Sequence, residues 1–266
     1  MKQDVSARFF LFLLLTVCTL CGCAAGANPR DPLETFNRKV YTFNTTVDKA
    51  VLKPVAKGYV TVIPHLVRRG VSNFFSNLGM PVTTLNDLLQ LKGSKVPVDL
   101  ARFATNIVFG LGGLIDVATE LKIERRNEDF GQTLGYWGIG SGPYLMLPLF
   151  GPSNVRDGTG TVADYVAHPF FYWDPSAEES RWTIFVLDIT DTRAQLLDAE
   201  KFLDVAAIDQ YSFLRDAYLQ RREFAIHDGN LPAGTGAGTR PKTLKELEEE
   251  DMMDEPVPLR TAPRVQ

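Results

Sequence analysis

Residues 98–115 constrain this chain more than any other stretch, because Val98 to Ile115 is apolar around most of a helical circumference. Its polar residues Asp99, Arg102, Thr105 and Asn106 fall on one narrow stripe. A surface helix of a soluble protein has the reverse proportions. Such a helix needs a deep protein core or a lipid face. Pro97 starts it, and Gly110, Gly112 and Gly113 interrupt it. It is therefore no straight transmembrane span, and it falls short of the roughly 20 residues a span requires.

The N-terminus points to the lipid side of that choice. Lys2 and Arg8 precede an apolar run from Phe9 to Leu20, and Leu20-Cys21-Gly22-Cys23 follows in the pattern of a bacterial lipobox. Residues 1–22 read as a lipoprotein signal peptide whose apolar part is too short to cross a bilayer. Cys23 reads as the residue that is cleaved to and acylated, with palmitate among its chains, and 23–30 as a lipidated tether. Cys18 is a poor rival because Val17 stands where a small residue is wanted. Each buried methylene contributes about 0.8 kcal/mol, so more than one acyl chain anchors the chain stably. Ala24, rather than aspartate, follows Cys23. By the sorting rule of enteric-type bacteria this directs the protein to the periplasmic leaflet of a Gram-negative outer membrane.

All three cysteines lie in the leader, so the mature domain is held by its core and not by disulfides. The formal net charge is −4. That argues against a nucleic-acid binder, which wants a basic face, and against attachment through a polybasic patch.

Helical signals dominate the rest. Asp31-Pro32-Leu33-Glu34 has the form of a capping box, and Leu33, Phe36, Val40, Phe43 and Val47 follow at helical spacing until Pro54. A second helix is expected from Pro64 to Leu78, and a short one through Leu85, Leu88 and Leu89. Residues 130–152, rich in glycine and aromatics, read as an irregular hairpin-like loop whose turn lies in Gly138–Gly142 and whose greasy end is Tyr144–Phe150. Gly151–Asp164 reads as a polar loop. Asp174-Pro175 opens a helical region, Trp182–Ile189 is nearly all apolar, and Asp191–Val205 is amphipathic. Asp209 caps a final helix with Tyr211, Leu214 and Tyr218 inside and Arg215, Arg221 and Arg222 outside. From Gly229 glycines, an acidic cluster and prolines read as a disordered tail, 229–266.

These segments carry motifs that resemble the MlaA/VacJ family of outer-membrane lipoproteins. They include Asp31-Pro32-Leu33-Glu34-Thr35-Phe36-Asn37-Arg38, Gly110-Leu111-Gly112-Gly113-Leu114-Ile115-Asp116 and Phe130-Gly131-Gln132-Thr133-Leu134-Gly135. Gly142-Pro143-Tyr144, Thr192-Arg193-Ala194-Gln195-Leu196-Leu197-Asp198 and Arg215-Asp216-Ala217-Tyr218 complete the set. The resemblance covers about residues 31–228. It implies a mainly α-helical, ring-shaped single domain in one leaflet, with an amphipathic channel beside a flexible hairpin loop. It further implies retrograde phospholipid transport that maintains lipid asymmetry. Phospholipid misplaced in the outer leaflet passes to a soluble periplasmic carrier of the MlaC kind, and trimeric porins are partners. The chain departs from the pattern mainly in its tail.

Moving a headgroup through a layer that disfavours charge calls for a narrow polar track. The stripe of Asp99, Arg102 and Asn106 has that form, as does Arg181 with Asp188 flanking Trp182–Leu187. Arg102 or Arg181 is expected to meet the lipid phosphate; the alternative is that these groups form buried structural pairs. Gly138, Gly140 and Gly142, with Tyr144, form the expected gating loop, the alternative being a rigid turn. Tyr136, Trp137 and Tyr144 are expected at headgroup level or in the core.

Enzyme readings find little support. His65, His168 and His227 lack metal-ligand spacing, so no metal or other cofactor is expected beyond the covalent lipid and the cargo. Gly-Ile-Gly-Ser141-Gly puts glycine, not serine, at the centre of a would-be nucleophile elbow. Gly158-Thr159-Gly160-Thr161-Val162-Ala163 matches a dinucleotide fingerprint by letter but lacks the preceding strand. A lipoprotein that only scaffolds porins and a lipid hydrolase remain as alternatives to transport.

Overall fold

Asp31 does not cap the first helix. The computed structural model describes residues 28–169 and 178–231, and in it α1 runs Glu34–Val47 with Leu33 at its cap position and no side-chain cap. The Asp31 carboxylate is fully buried instead. It accepts a hydrogen bond from Asn37 Nδ2 at 2.8 Å and another from the Tyr211 hydroxyl, and the Arg215 guanidinium lies at 3.5 Å. The expected capping box gives way because a buried carboxylate gains more from three partners than from one helix end. The expected signal peptide, Cys23, most of the expected tether, the expected helix start at Asp174-Pro175 and the residues after 231 lie outside the described residues.

Pro54 does not stop the helix either. A π-turn at Asp48–Leu52 leads into α2, Lys53–Val62, with the proline in its first turn. The widened turn absorbs the missing N–H donor. The break comes at Ile63-Pro64, where Ile63 is extended (φ −93°, ψ 122°), as a residue before proline prefers. There follow α3 (His65–Leu78), α4 (Met80–Leu89) and α5 (Val96–Val108). The apolar segment ends there and doubles back through Leu111, Gly112 and Gly113, all at positive φ. Gly110 is obligatory at this bend, since a Cβ on it would lie 2.1 Å from the Ile115 carbonyl oxygen. A single turn, α6 (Val117–Glu120), completes the return.

The glycine-rich region is more regular than its composition suggests. Residues Phe130–Tyr136 form α7, capped by Asp129, whose carboxylate accepts from Gln132 N. The strands β1 (Tyr144–Leu147) and β2 (Gly151–Asn154) pair antiparallel, Tyr144 opposite Asn154 and Leu147 opposite Gly151. Their turn is therefore at 148–150, with Leu149 and Gly151 at positive φ, and not at Gly138–Gly142. The expected polar loop is mostly α8 (Val155–Ala167), capped by Asn154. Its glycines serve a helix crossing, because a Cβ on Gly160 would sit 2.4 Å from the Gly131 nitrogen of α7. Three helices follow: α9 (Glu178–Gln195), α10 (Leu197–Ala206) and α11 (Gln210–Ile226). Asp209 caps α11 as expected, accepting from Tyr211 N and Ser212 N.

One helix substitutes for a third strand at the hairpin. Asn37 donates to Tyr144 O at 3.1 Å and accepts from Met146 N at 2.9 Å. Asn44 donates to Leu147 O at 2.9 Å and accepts from Leu149 N at 2.8 Å. Two helical turns advance about 10.5 Å and three strand residues about 10 Å, so amides seven residues apart on α1 match the free edge of β1.

Burial is sorted by polarity in an unusual sense. Among the described residues nineteen polar or charged side chains are buried against seven apolar ones, while Phe36, Phe43, Val62, Leu66, Phe109, Leu111 and Phe150 are among many large apolar side chains exposed. The apolar stripe expected to pack α1 thus shows its two phenylalanines outward and turns Asn37 inward. Arg215 and Arg222 are likewise drawn in: Arg215 is only 6% exposed beside Asp31, and Arg222 bridges Asp129 and Asp157. Arg221 is exposed as expected. No helix among the described residues is long and apolar enough to cross a membrane.

Replacing Asn37 by Ala strands Asp31 Oδ1, the Tyr144 carbonyl and the Met146 amide in one buried site, at about 1–3 kcal/mol per unsatisfied group. We expect Asn37→Ala to lose at least about 2 kcal/mol in denaturant unfolding of the detergent-solubilised protein. Asn44→Ala, nearer solvent, should lose less. Equal losses would show that the strand-edge contacts are not what Asn37 contributes.

Candidate functional site

A cavity of about 890 Å³ opens between the hairpin, α8 and the start of α9. Strand alternation supplies its first wall. Tyr144 and Met146 face the core with Tyr211, which turns Leu145 and Leu147 to the cavity, with Phe150 at the hairpin turn. Helical spacing supplies the second, from Val155, Val162 and Tyr165 of α8. Trp182 and Phe185, three residues apart on α9, close the third. Among the described residues its polar lining includes Asn154 of β2 and Thr159 and Thr161 of α8. The volume lies in the range of natural ligand pockets, and walls of this kind suit hydrocarbon chains.

The expected polar track does not line this cavity. Asp99 is fully buried and pairs with Arg126 at 2.7 Å, which also reaches Asp87 at 2.9 Å. Arg102 places one terminal nitrogen on both oxygens of Asp116, at 2.8 and 2.6 Å, and donates from the other to the Ile123 carbonyl at 2.7 Å. Asn106 donates to Asp116 and accepts from Ala118 N at 2.9 Å. The stripe is thus a polar seam that ties α5 to the returning chain. The Asp116 carboxyl lies below its ordinary range: burial pushes it up, but Thr119, Asn106 and Arg102 together outweigh that. Asp188 sits half-buried on α9, and burial with nearby Asp191 raises its carboxyl. Arg181 is in α9 beside Trp182; its side chain lies outside the described residues.

The glycine loop borders the hairpin. Gly138, Gly140 and Gly142 are exposed, Gly138 and Gly142 at positive φ. Arg156 holds the loop, donating from its backbone to Ser141 O and from its side chain to Ile139 O, both at 3.2 Å. Tyr136 and Trp137 are exposed, as a headgroup-level position requires, whereas Tyr144 is fully buried and belongs to the core. Sequence reasoning missed the wall of α8, because Gly158 and Gly160 read as loop residues. The apolar runs Tyr144–Phe150 and Trp182–Ile189 were the signals for the other two walls.

A sequence model described as MlaA lipoprotein matches residues 29–225. The chain belongs to the MlaA lipoprotein family. Relatives in Escherichia coli (strain K12) and Shigella flexneri are each 38% identical over 241 residues, covering 87% of this chain and 92% of theirs. One in Haemophilus influenzae is 34% identical over 240 residues, covering 85% and 94%. All three are named intermembrane phospholipid transport system lipoproteins. A solved structure described as the basis for maintenance of bacterial outer membrane lipid asymmetry superposes with a TM-score of 0.64 at 38% identity, covering 74% of this chain and 98% of that one. The mainly helical single domain expected from the sequence is therefore the MlaA-family fold.

The seam carries a titratable element within that fold. Burial, then the hydrogen-bonded Asp99 carboxyl, pushes Asp87 up to about 7 against the pull of Arg126, with Glu128 adding repulsion. The folded state so holds a proton that the unfolded chain, with an aspartate near 3.9, has already released. Stability from this group is full below about pH 4 and is lost as pH rises toward 7. Asp87→Asn, neutral at every pH, should flatten the fall in thermal midpoint between pH 5 and 8. An unchanged slope would place the titration elsewhere.

Proposed function

We propose that this protein removes mislocalised phospholipid from the outer leaflet of the outer membrane and passes it to a soluble periplasmic carrier, as a non-enzymatic transporter. The observation that carries the reading is the apolar cavity between the hairpin, α8 and α9 in a body that also exposes many large apolar side chains. A chain with acyl-sized hydrocarbon walls inside and exposed Leu, Val and Phe outside is built to sit among lipids. The names of its relatives, which belong to a phospholipid transport system, support the same reading.

In this mechanism Cys23 acylation holds the domain at the periplasmic leaflet, and Tyr136 and Trp137 lie at the headgroup region. Acyl chains enter the cavity past Phe150 and Leu147. The loop at Gly138–Gly142 gates the path, since Gly140 has open space around it and the loop is held by only a few bonds from Arg156. The polar seam of Asp99, Arg102 and Asn106 keeps the helices in register instead of touching the lipid. Arg181, one residue from Trp182 of the cavity wall, is the candidate cation for the phosphate, with Asp188 further along α9; Arg156, equally near through Val155, is committed to Asp157. Porin trimers and a carrier of the MlaC kind are the partners this scheme requires.

The test is transfer of labelled phospholipid from liposomes bearing the protein to its soluble carrier. Val162→Trp fills the cavity from an exposed helix position, so the fold should persist while transfer falls at least about tenfold. Wild-type transfer by a folded Val162→Trp protein would refute the cavity as the path. Release of fatty acid would indicate a hydrolase instead. In cells, Cys23→Ser should abolish outer-membrane lipid asymmetry without unfolding the domain, and Gly140→Pro should slow transfer by stiffening the loop.

A further inference from the structure

The loop at 138–142 is supported from outside by one residue, and that residue belongs to the helix that walls the cavity. The loop's first two amides only finish α7: Gly138 N donates to Gly135 O at 2.9 Å and Ile139 N to Leu134 O at 3.0 Å. Among the described residues, the hydrogen bonds that hold loop carbonyls from another element both come from Arg156, in the first turn of α8. Its backbone N–H donates to Ser141 O and its Nη1 to Ile139 O, each at 3.2 Å. The preceding residue, Val155, lines the cavity and packs against Gly142, where an added Cβ would come within 3.2 Å of the valine Cβ. Two successive residues of α8 thus tie the loop to the rim of the cavity.

The Arg156 side chain is buried, and its donors are divided between two tasks. Nε and Nη2 lie on Asp157 Oδ1, at 3.0 and 2.9 Å, which leaves Nη1 for the loop. Helix α7 makes room for that reach: a Cβ on Gly135 would sit 3.0 Å from Nη1. Asp157 does not depend on this arginine, because Asn154, Tyr218 and Arg222 also donate to it, at 2.6, 2.6 and 2.9 Å. Losing the Arg156 side chain therefore leaves β2, α8 and α11 joined at Asp157, while the loop keeps only the backbone bond at Ser141. The planar fork of a guanidinium serves a carboxylate and a carbonyl at once, which the single nitrogen of a lysine does not reproduce. We infer that Arg156 is the latch of the 138–142 loop, a positioning residue that sets where the loop stands at the cavity rim without itself touching lipid. Its bearing on transport rests on the reading of this loop as the gate.

Spin labelling of the full-length protein in detergent micelles tests the latch. No cysteine follows Cys23, which this scheme acylates, and Gly140 has open space around it. A nitroxide on Gly140→Cys therefore reports the loop, and one on Thr61→Cys, at an exposed position of α2, reports the body. Arg156→Met should raise the mobile fraction at position 140 at least about threefold, as loss of a charge-assisted hydrogen bond allows, and leave position 61 unchanged. Arg156→Lys should fall between Arg156→Met and wild type. Gly135→Ala, which crowds Nη1 without removing the arginine, should move position 140 in the same direction. Unchanged mobility at position 140 in a folded Arg156→Met protein, or an equal rise at position 61, would overturn the latch. Transfer of labelled phospholipid to the carrier tests the gate separately: a freed loop should speed transfer, the opposite of Gly140→Pro. A freed loop with unchanged transfer would overturn the gate and leave the latch standing.

Discussion

The fold depends on one buried junction, where Asn37 holds Asp31, the hairpin edge and, through Asp31, α11. Its amide nitrogen serves Asp31 and the Tyr144 carbonyl, and its oxygen takes the Met146 amide. Asp31 then meets Tyr211 and Arg215, some 180 residues later in the chain. A helix, a strand edge and α11 thus meet on groups that cannot be left unpaired at low solvent exposure. The cavity wall formed by Leu145 and Leu147 is held in place because the backbone edge of the same strand is fixed here and at Asn44.

The same logic extends through the molecule. Asp191 joins α2, α3 and α9 by accepting from Tyr59, Ser72 and Gln195, Asp157 joins β2, α8 and α11 through Asn154, Tyr218 and Arg222, and Asp116 gathers Arg102 and Asn106. Where the outside is apolar, as many of these helix faces are, hydrophobic burial cannot say which helix packs on which. Directional polar contacts can, since at buried sites they have no competing water. That is the physical reason a chain with so many exposed apolar side chains invests its interior in asparagine, aspartate and arginine. It also frees the hydrophobic side chains to line a cavity and an outer surface.

Much of this was legible in the sequence and some was not, for identifiable reasons. The apolar circumference and glycine break of residues 98–115 announced a segment that belongs neither to a soluble surface nor to a straight span, and the structure ends that helix at Val108 and turns it back. Asp209 showed its cap directly. The greasy run Tyr144–Phe150 became a cavity wall. Periodicity, however, reveals that a helix has two faces without revealing which faces inward; Phe36 and Phe43 point out and Asn37 in because Asn37 finds Asp31 and the hairpin edge as buried partners. Arg215 and Arg222 read as surface charges because their partners, Asp31, Asp129 and Asp157, are far off in sequence. Gly160 read as loop because its reason, the backbone of Gly131, is visible only in three dimensions. The polar stripe of Asp99, Arg102 and Asn106 was seen, but its partners Arg126 and Asp116 were not, and they make it a seam.

The lipid path is tested most directly by photocrosslinking in cells, with a photoreactive phenylalanine analogue placed singly at Phe185 or Leu147 of the cavity wall and at Asn106 of the seam. Phospholipid adducts from Phe185 and Leu147, with none above background from Asn106, are the predicted result. Adducts from Asn106 with none from the two cavity positions would contradict it, and would return the polar stripe to the lipid.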